Sequence, residues 1–308
     1  MALAEMTQDA STAAGWLGVT ERGTIAGIRF LAWLSTAFGR APARAVLRVA
    51  ALYYALFYAS ARRASYDYLE RIHGRATFAM VYAHILAFAE VALDRAFFVT
   101  GKLGYFRVTR VGHHFLETLA AGRRGAILLG AHLGSFEAMR MQGDRDGLRI
   151  NFLGYFRNAR RINAVLQKLN PNATARLIAI DPENFGFVLR IKERTDHGEL
   201  IALLGDRVGR DGRAATVDFL GGKADFPTGP YMLAFLLRCP IYLTFALYRA
   251  PNHYEMFCEP FEEQTQLPRE GREQALAAYA QRFATRLEHY VRLAPDNWFN
   301  FHSFWRNP

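Results

Sequence analysis

The feature that most restricts the fold is the alternation of short apolar runs with helix-like segments from residue 101 onward. Runs such as "AILLG" at 126–130, "ELIALLG" at 199–205 and "IYLTFALYR" at 241–249 have the length and composition of buried strands. Strands separated by helices form mainly parallel pairs. The sequence therefore predicts the α/β class: a single domain with a central, largely parallel (mixed) sheet flanked by helices.

The preceding part, residues 16–100, is rich in Ala, Leu, Phe, Tyr and Arg and poor in glycine and proline, which indicates helices. Two stretches, "TIAGIRFLAWLSTAF" (24–38) and "AVLRVAALYYALFYASARR" (45–63), are apolar and aromatic and carry arginines in or beside them. They fit core helices of a soluble domain. They fit equally well helices that lie in a bilayer interface, where arginines reach the headgroups. A short or tilted span is a third interpretation.

Three regions follow from this reading. Residues 1–15 are predicted to be a disordered start, 16–100 an N-terminal helical, membrane-associated region, and 101–308 an α/β domain continuous with the helices. The glycine-rich stretch 209–230 reads as a connection within that domain. The first residues lack the basic and then apolar order of a secretory signal. Cys239 and Cys258 have no short paired spacing, so neither a disulfide framework nor a metal site is indicated, and a reducing cytoplasmic setting is expected.

Charge indicates the kind of partner. Lys and Arg number 38 against 28 Asp and Glu, a formal net charge of +10, which favours nucleic acid, anionic lipid or an acidic protein. No recognised nucleic-acid module is present, and the aromatic residues follow core-type patterns. We therefore expect no nucleic-acid partner.

The candidate site lies in "GAILLGAHLGSFEAM", residues 125–139. His132 follows the end of a predicted strand, where ligand sites of open α/β sheets collect, and Glu137 is a candidate for orienting its ring. Residues five apart in one helix differ by about 140°, so the pair requires His132 on the turn before the helix. Gly134 can form that turn and Ser135 can cap the helix. The alternative is an ordinary strand-to-helix corner with a solvent-facing histidine.

Other chemistries find less support. There is no G-x-S-x-G motif, phosphate loop or H-E-x-x-H motif, and Ser135 is the only serine between Ser65 and Ser303. Arginines are abundant between 157 and 213, and Arg157 and Arg207 each follow a predicted strand end, where a guanidinium could bind a phosphate-bearing substrate. Asp206 reads as a partner of Arg207 that fixes a loop.

Several motifs in order resemble a known family. "AILLGAHLGSFEAMR" is similar to the H-x4-D/E signature of the lysophospholipid acyltransferase superfamily, in the branch of the bacterial late acyltransferases of lipid A biosynthesis. "GELIALLGDRVGRDGRAATVDFLGGKADFPTGPYMLAFLL" resembles that branch's second block, and "PDNWFNFHSFW" its closing aromatic signature. The N-terminal stretches resemble its membrane-associated start. The resemblance covers nearly the whole chain.

The resemblance implies an O-acyltransferase. His132 would be the general base for an acceptor hydroxyl, and Glu137 would orient its ring. Backbone N–H groups near Gly134, or an arginine, would stabilise the oxyanion of the thioester. Gly134, Ser135, Arg157, Asp206 and Arg207 are expected to contact substrate. No metal or cofactor is implied.

The resemblance also implies the partners. The acyl donor would be acyl carrier protein, whose acidity suits the positive charge, and the acceptor a lipid or glycolipid. The protein, favoured as a monomer, would act on a membrane surface, at the cytoplasmic face of the bacterial inner membrane, peripherally or anchored by its N-terminus. A catalytically silent lipid-binding or scaffold protein of the same fold is the alternative.

Departures from the family pattern bear on the acceptor. Ala131 precedes the histidine where glycerolipid enzymes usually have asparagine, and no "EGTR" segment exists, which disfavours phosphatidic acid synthesis. Asp206-Arg207 stands where the main lipid A enzymes tend to have Asp-Gln, and "NFHSFW" replaces a basic ending. The acceptor can therefore be lipid A, an aryl polyene lipid or another lipid.

Overall fold

The helices and strands are described from a computed structural model covering residues 25–154, 176–180, 186–209 and 212–306. The helices are α1 (Ile25–Phe38), α2 (Arg40–Phe57), α3 (Ala59–His73), α4 (Phe78–Val99), α5 (His113–Ala121), α6 (Phe136–Arg145), α7 (Gly186–Asp196), α8 (Gly229–Leu237) and α9 (Arg272–Leu293). The strands are β1 (Arg107–Val111), β2 (Ala126–Gly130), β3 (Ile150–Gly154), β4 (Leu177–Ala179), β5 (Leu200–Leu204), β6 (Ala214–Phe219), β7 (Gly222–Pro227), β8 (Ile241–Arg249) and β9 (His253–Glu262). The predicted disordered start lies outside these residues.

Seven strands form the central sheet in the order β1-β9-β8-β2-β5-β3-β4. All neighbouring pairs are parallel except β8 and β9, which are antiparallel. The predicted fold class, α/β with a largely parallel mixed sheet, is confirmed. Strands β2 and β8 are almost wholly buried because helices cover both faces of the sheet, which explains their nearly continuous apolar sequences.

The connection predicted at 209–230 is wrong in its middle part. Residues 214–227 form a second, two-stranded antiparallel sheet of β6 and β7. Leu220 and Gly221, at φ 50° and 73°, form a two-residue turn with both residues in the left-handed region, which matches the twist of a hairpin. Side chains of α9 hold the hairpin, since Gln281 accepts from the Asp218 N–H at 2.8 Å and Glu288 from the Leu220 N–H at 2.9 Å.

The N-terminal helices pack onto the α/β part through α2 and α4. The buried apolar residues of α2 recur at four-residue spacing: Ala43, Leu47, Ala51 and Ala55. Arg40 at its start donates to both carboxylate oxygens of Asp94 on α4, at 2.6 and 2.8 Å. Tyr254 of β9 donates to the same carboxylate at 2.7 Å. This buried ion pair joins α2, α4 and the sheet.

The other side of α2 is exposed although it is apolar. Val49 is 72% exposed and Phe57 68%, and Trp33 on α1 is 56% exposed. Among the described helices, none alone is long and apolar enough to cross a membrane. The pair α3 and α4, bent by 109° at its break, meets the length and composition criteria together.

His84 connects three parts of the fold. It is fully buried on α4, its Nε2–H donates to the carbonyl of Trp298 at 2.9 Å, and its Nδ1 accepts from Ser65 Oγ of α3 at 2.7 Å. Both ring nitrogens are therefore satisfied in the neutral form, and no carboxylate of the described residues accepts from either of them. Burial lowers the pKa of His84 from 6.5 to about 4.

This buried histidine predicts a loss of stability in acid. The unfolded chain binds the proton near pH 6.5 and the folded chain near pH 4, so protonation favours unfolding between these values. As the pH falls from 6.5 to 4, the free energy of unfolding should decrease more in the native protein than in His84→Gln, by an amount on the order of 3 kcal/mol. Urea titrations of both proteins at several pH values measure this difference in the free energy of unfolding. Equal pH slopes for the two proteins would contradict the assignment.

Candidate active site

The register of two parallel strands brings the principal side chains of the site together. Gly130 at the end of β2 is paired with Leu204 at the end of β5. His132 and Asp206 each lie two residues beyond these paired positions. The Gly205 N–H donates to the Gly130 carbonyl at 2.9 Å and continues the ladder past the strand ends. The two side chains therefore meet at the carboxyl edge of the sheet, where α/β folds place their ligand sites.

Asp206 is a buried carboxylate with three donors. Its Oδ1 accepts from His132 Nδ1 at 2.8 Å, and its Oδ2 accepts from the His132 backbone N–H and from Trp298 Nε1, each at 3.0 Å. Only 1% of its side chain is exposed. An ionised carboxylate only accepts, so it fixes the proton on Nδ1 and leaves the Nε2 lone pair of His132 available.

The electrostatics agree with this arrangement. Burial alone would raise the pKa of Asp206, but the charge of His132 and the hydrogen bonds from it hold that pKa well below its ordinary value. Burial, and then the positive charge of Arg207, lower the pKa of His132 against the opposite effect of Asp206. The His132 side chain remains 30% exposed, and Nε2 has no hydrogen-bond partner among the described residues. A neutral histidine with one accessible nitrogen suits a general base.

His132 precedes the helix, as the spacing required. Helix α6 begins at Phe136, and the buried Ser135 caps it by accepting from the Ala138 N–H at 3.1 Å, which confirms the predicted cap. Gly134 has φ 69°, as predicted for the turn. Its N–H donates to the Asn297 carbonyl at 2.9 Å, and the Ser135 N–H to the Ala246 carbonyl at 2.8 Å. These two N–H groups are therefore not available to an oxyanion, contrary to the expectation for Gly134.

Glu137 does not contact the histidine. It forms an ion pair with Arg95 of α4, and the carboxylate that holds the His132 ring is Asp206. The orienting contact predicted for Glu137 is therefore corrected. The physical reason is the five-residue spacing: Glu137 lies on the first turn of α6, whereas Asp206 comes from the adjacent strand in matching register.

The segment that follows α9, residues 294–306, packs against the site, and we call it the closing segment. The Phe299 N–H donates to the His132 carbonyl at 2.8 Å, and Arg207 Nη2 donates to the Phe299 carbonyl at 2.7 Å. Trp298, fully buried, supplies the indole N–H to Asp206. His302 belongs to the same environment, since burial and the charges of Arg207 and His132 lower its pKa to about 3.

The remaining predicted substrate residues have different positions. Arg157 lies outside the described residues. Arg207 lies next to Asp206 and is partly buried against the closing segment. Asp206 serves as the partner of His132 rather than presenting its carboxylate to solvent. Sequence reasoning missed this pairing, as well as Trp298 and Arg95.

An apolar cavity lies beside the site, between α6 and the sheet. Phe136 at the start of α6 lines it. Residues of β2, β3, β5, β8 and β9 also line it, including Leu128, Ile150, Phe152, Ala202, Thr244 and Met256. Arg110, His113, Arg140 and Asp146 also line this cavity. The arrangement suits a ligand with an apolar chain.

Comparison with models of protein families identifies the family of the chain. The model of the bacterial lipid A biosynthesis acyltransferase family matches residues 78–307, from the first residue of α4 through the closing segment. The chain belongs to this acyltransferase family. The matched region includes His132, Asp206 and Trp298. A search of curated proteins gives no match.

The turn at Gly134 generates a stability prediction for this acyltransferase. A Cβ at Gly134 would lie 1.9 Å from the Ala246 carbonyl oxygen, whereas a Cβ at Gly147, with a similar φ of 74°, would meet nothing within 4 Å. Gly147→Ala should cost only the strain of the left-handed conformation, about 1 kcal/mol. Gly134→Ala should cost about 3 kcal/mol or more, because backbone overlap adds to that strain.

Urea denaturation of the two variants separates strain from overlap. Equal losses for Gly134→Ala and Gly147→Ala would show that the close approach to Ala246 does not constrain the turn.

Proposed function

We propose that this acyltransferase moves an acyl group from an acyl carrier protein thioester to a hydroxyl of a lipid or glycolipid acceptor at a membrane surface, with His132 as general base and Asp206 as its orienting carboxylate. The observation that carries the proposal is the buried Asp206–His132 hydrogen bond at 2.8 Å, which leaves Nε2 accessible at the carboxyl edge of the sheet. The same pattern of base and orienting group activates hydroxyl groups in acyl transfer generally.

In the proposed reaction one nitrogen, His132 Nε2, both accepts and returns the proton. His132 Nε2 takes the proton of the acceptor hydroxyl as its oxygen attacks the thioester carbon. The resulting imidazolium is stabilised by the ionised Asp206, and when the C–S bond breaks it returns the proton to the leaving thiolate. Ester and thiol are the products. The N–H groups of Phe136 and Glu137, which have no partner among the described residues, are our candidates for stabilising the oxyanion.

Two other features support the choice of substrates. The cavity beside Phe136 offers the acyl chain apolar walls, among them Leu128 and Ile150. The formal net charge of +10 favours association with an acidic carrier protein.

The roles of Asp206 and Glu137 are separable by kinetics. Labelled acyl carrier protein thioester and membrane lipid are incubated with the purified protein, and transfer of the label is measured. His132→Ala should abolish transfer. Asp206→Asn should lower kcat by about 10²- to 10⁴-fold, because the neutral amide no longer fixes the tautomer or stabilises the imidazolium. Glu137→Gln should change KM more than kcat.

The pH profile supplies an independent readout. His132 acts as a base only when neutral, so activity is lost as the pH falls through its folded pKa, which lies below 6.5. Asp206 raises that pKa, so Asp206→Asn should move the acidic limb to still lower pH. If kcat fell in Glu137→Gln by the factor expected for Asp206→Asn, while Asp206→Asn kept its activity, Glu137 would be the orienting residue. Full activity in His132→Ala would contradict the proposal that His132 is the general base.

We also propose that the exposed apolar side of α2, with Val49, Tyr53, Leu56 and Phe57, contacts the membrane. These side chains are between 51% and 72% exposed, and the exposed Arg48 and Arg63 can meet anionic headgroups. The spacing of 49, 53, 56 and 57 places them on one side of the helix.

Vesicle flotation tests this contact. Replacing Val49 and Phe57 together by serine should lower binding to anionic phospholipid vesicles about tenfold or more, because two large apolar groups lose a lipid environment. Leu189→Ser is the matched control, since Leu189 on α7 is 74% exposed but lies on another helix. Equal flotation of the double variant and the control would contradict the assignment of this surface.

A further inference from the structure

Three arginines from different elements lie near one another beside α6. Arg95 comes from α4 and forms the ion pair with Glu137. Arg140 lies three residues further along α6, about 4.5 Å along the helix axis, on the same side of the helix. Arg176 directly precedes β4. The charges of Arg95, Glu137 and Arg176 all act on the Arg140 guanidinium.

Phe152 of β3 locates two of these arginines. The Arg140 guanidinium carbon lies 5.8 Å from the centroid of the Phe152 ring. The Phe152 N–H donates to the Arg176 carbonyl at 2.8 Å. The Arg140 guanidinium and the backbone of Arg176 therefore both lie at Phe152, while the ion pair of Glu137 brings Arg95 to α6.

The cluster has more donors than acceptors. Arg95 Nε and Arg176 Nη1 are buried and have no hydrogen-bond partner among the described residues. Arg140, whose side chain is 15% exposed, forms no hydrogen bond with a carboxylate among the described residues, since its Nε and Asp144 Oδ2 are 3.9 Å apart. Buried guanidinium donors without acceptors are costly, and burial together with neighbouring positive charges makes them an anion site. Glu137 and Asp144 are the carboxylates of the cluster.

We propose that Arg95, Arg140 and Arg176 bind a phosphate group of one of the two substrates, with Glu137 as a positioning residue that holds Arg95. Glu137 meets the Nη2 of Arg95 and leaves the buried Nε of that guanidinium without an acceptor among the described residues. Three guanidinium groups from three elements match the several acceptor oxygens of a tetrahedral phosphate. That the phosphate belongs to a substrate rests on the proposed acyl transfer, because Glu137 lies on the first turn of the helix that follows His132.

Two substrates could provide this group. The phosphopantetheine arm of the acyl donor carries a phosphate, and so do many lipid headgroups. The chemistry recognised by the arginines is the same in both cases, so the experiment has one arm for the site and one for the source.

Inorganic phosphate is the probe for the site. Isothermal titration of the full-length protein at fixed ionic strength should show saturable binding, weakened about tenfold or more in Arg176→Ala and in Arg140→Ala. Arg190→Ala is the matched control, because Arg190 on α7 is exposed and has no ion pair among the described residues. Arg176 has no side-chain partner there either, so Arg176→Ala should keep the native thermal unfolding midpoint.

Absence of saturable phosphate binding, or equal affinity in Arg176→Ala and Arg190→Ala, would overturn the proposal. Phosphate binding without any acyl transfer would leave the site standing and refute the proposed function. Acyl transfer without phosphate binding would support the proposed function and refute the phosphate site.

The source is assigned with two donors, an acyl carrier protein thioester and an acyl N-acetylcysteamine thioester that lacks phosphate. If Arg176→Ala raises the donor KM about tenfold for the carrier protein alone, the site binds the donor phosphate. If it raises the acceptor KM with both donors, the site binds the acceptor phosphate. Unchanged KM values for donor and acceptor would count against a substrate phosphate in either position.

Discussion

The buried carboxylate of Asp206 is the interaction on which the active corner depends. It accepts hydrogen bonds from the ring and the backbone N–H of His132 and from the indole N–H of Trp298. One side chain therefore fixes the tautomer of His132, the path of the turn and the position of the closing segment. An ionised group with this little exposure is stable only when every donor is in place, which makes the arrangement intolerant of partial assembly. A single buried charge thus joins the His132 turn, strand β5 and the segment after α9.

Sequence reasoning predicted the sheet, the strand-to-helix corner and the Ser135 cap, because hydrophobic period and capping chemistry are local signals. It did not predict the Asp206–His132 pair. The strings "AILLGAH" and "LIALLGD" share the order of an apolar run, a small residue and a titratable residue, which is a signal for equal register. Their adjacency could not be read from the chain, since β3 and β4 intervene in sequence. The hairpin at 214–227 was missed because its glycines resembled those of a loop.

The carboxylate that the family signature makes conspicuous, Glu137, has a different partner from the one its spacing suggested. Its ion pair ties α6, which follows the base, to α4, which carries the buried Asp94 and His84 as well. Helix α4 therefore connects the N-terminal helices with α6 and with the segment after α9 through polar contacts.

The backbone bonds of the closing segment set an order of events during synthesis. The His132 carbonyl and the Gly134 N–H are satisfied by Phe299 and Asn297, residues made roughly 160 positions later. The sheet edge that carries His132 can form earlier, but its turn retains unsatisfied polar groups until those partners emerge from the ribosome. The turn that positions His132 is therefore completed only after nearly all of the fold around it has been synthesised.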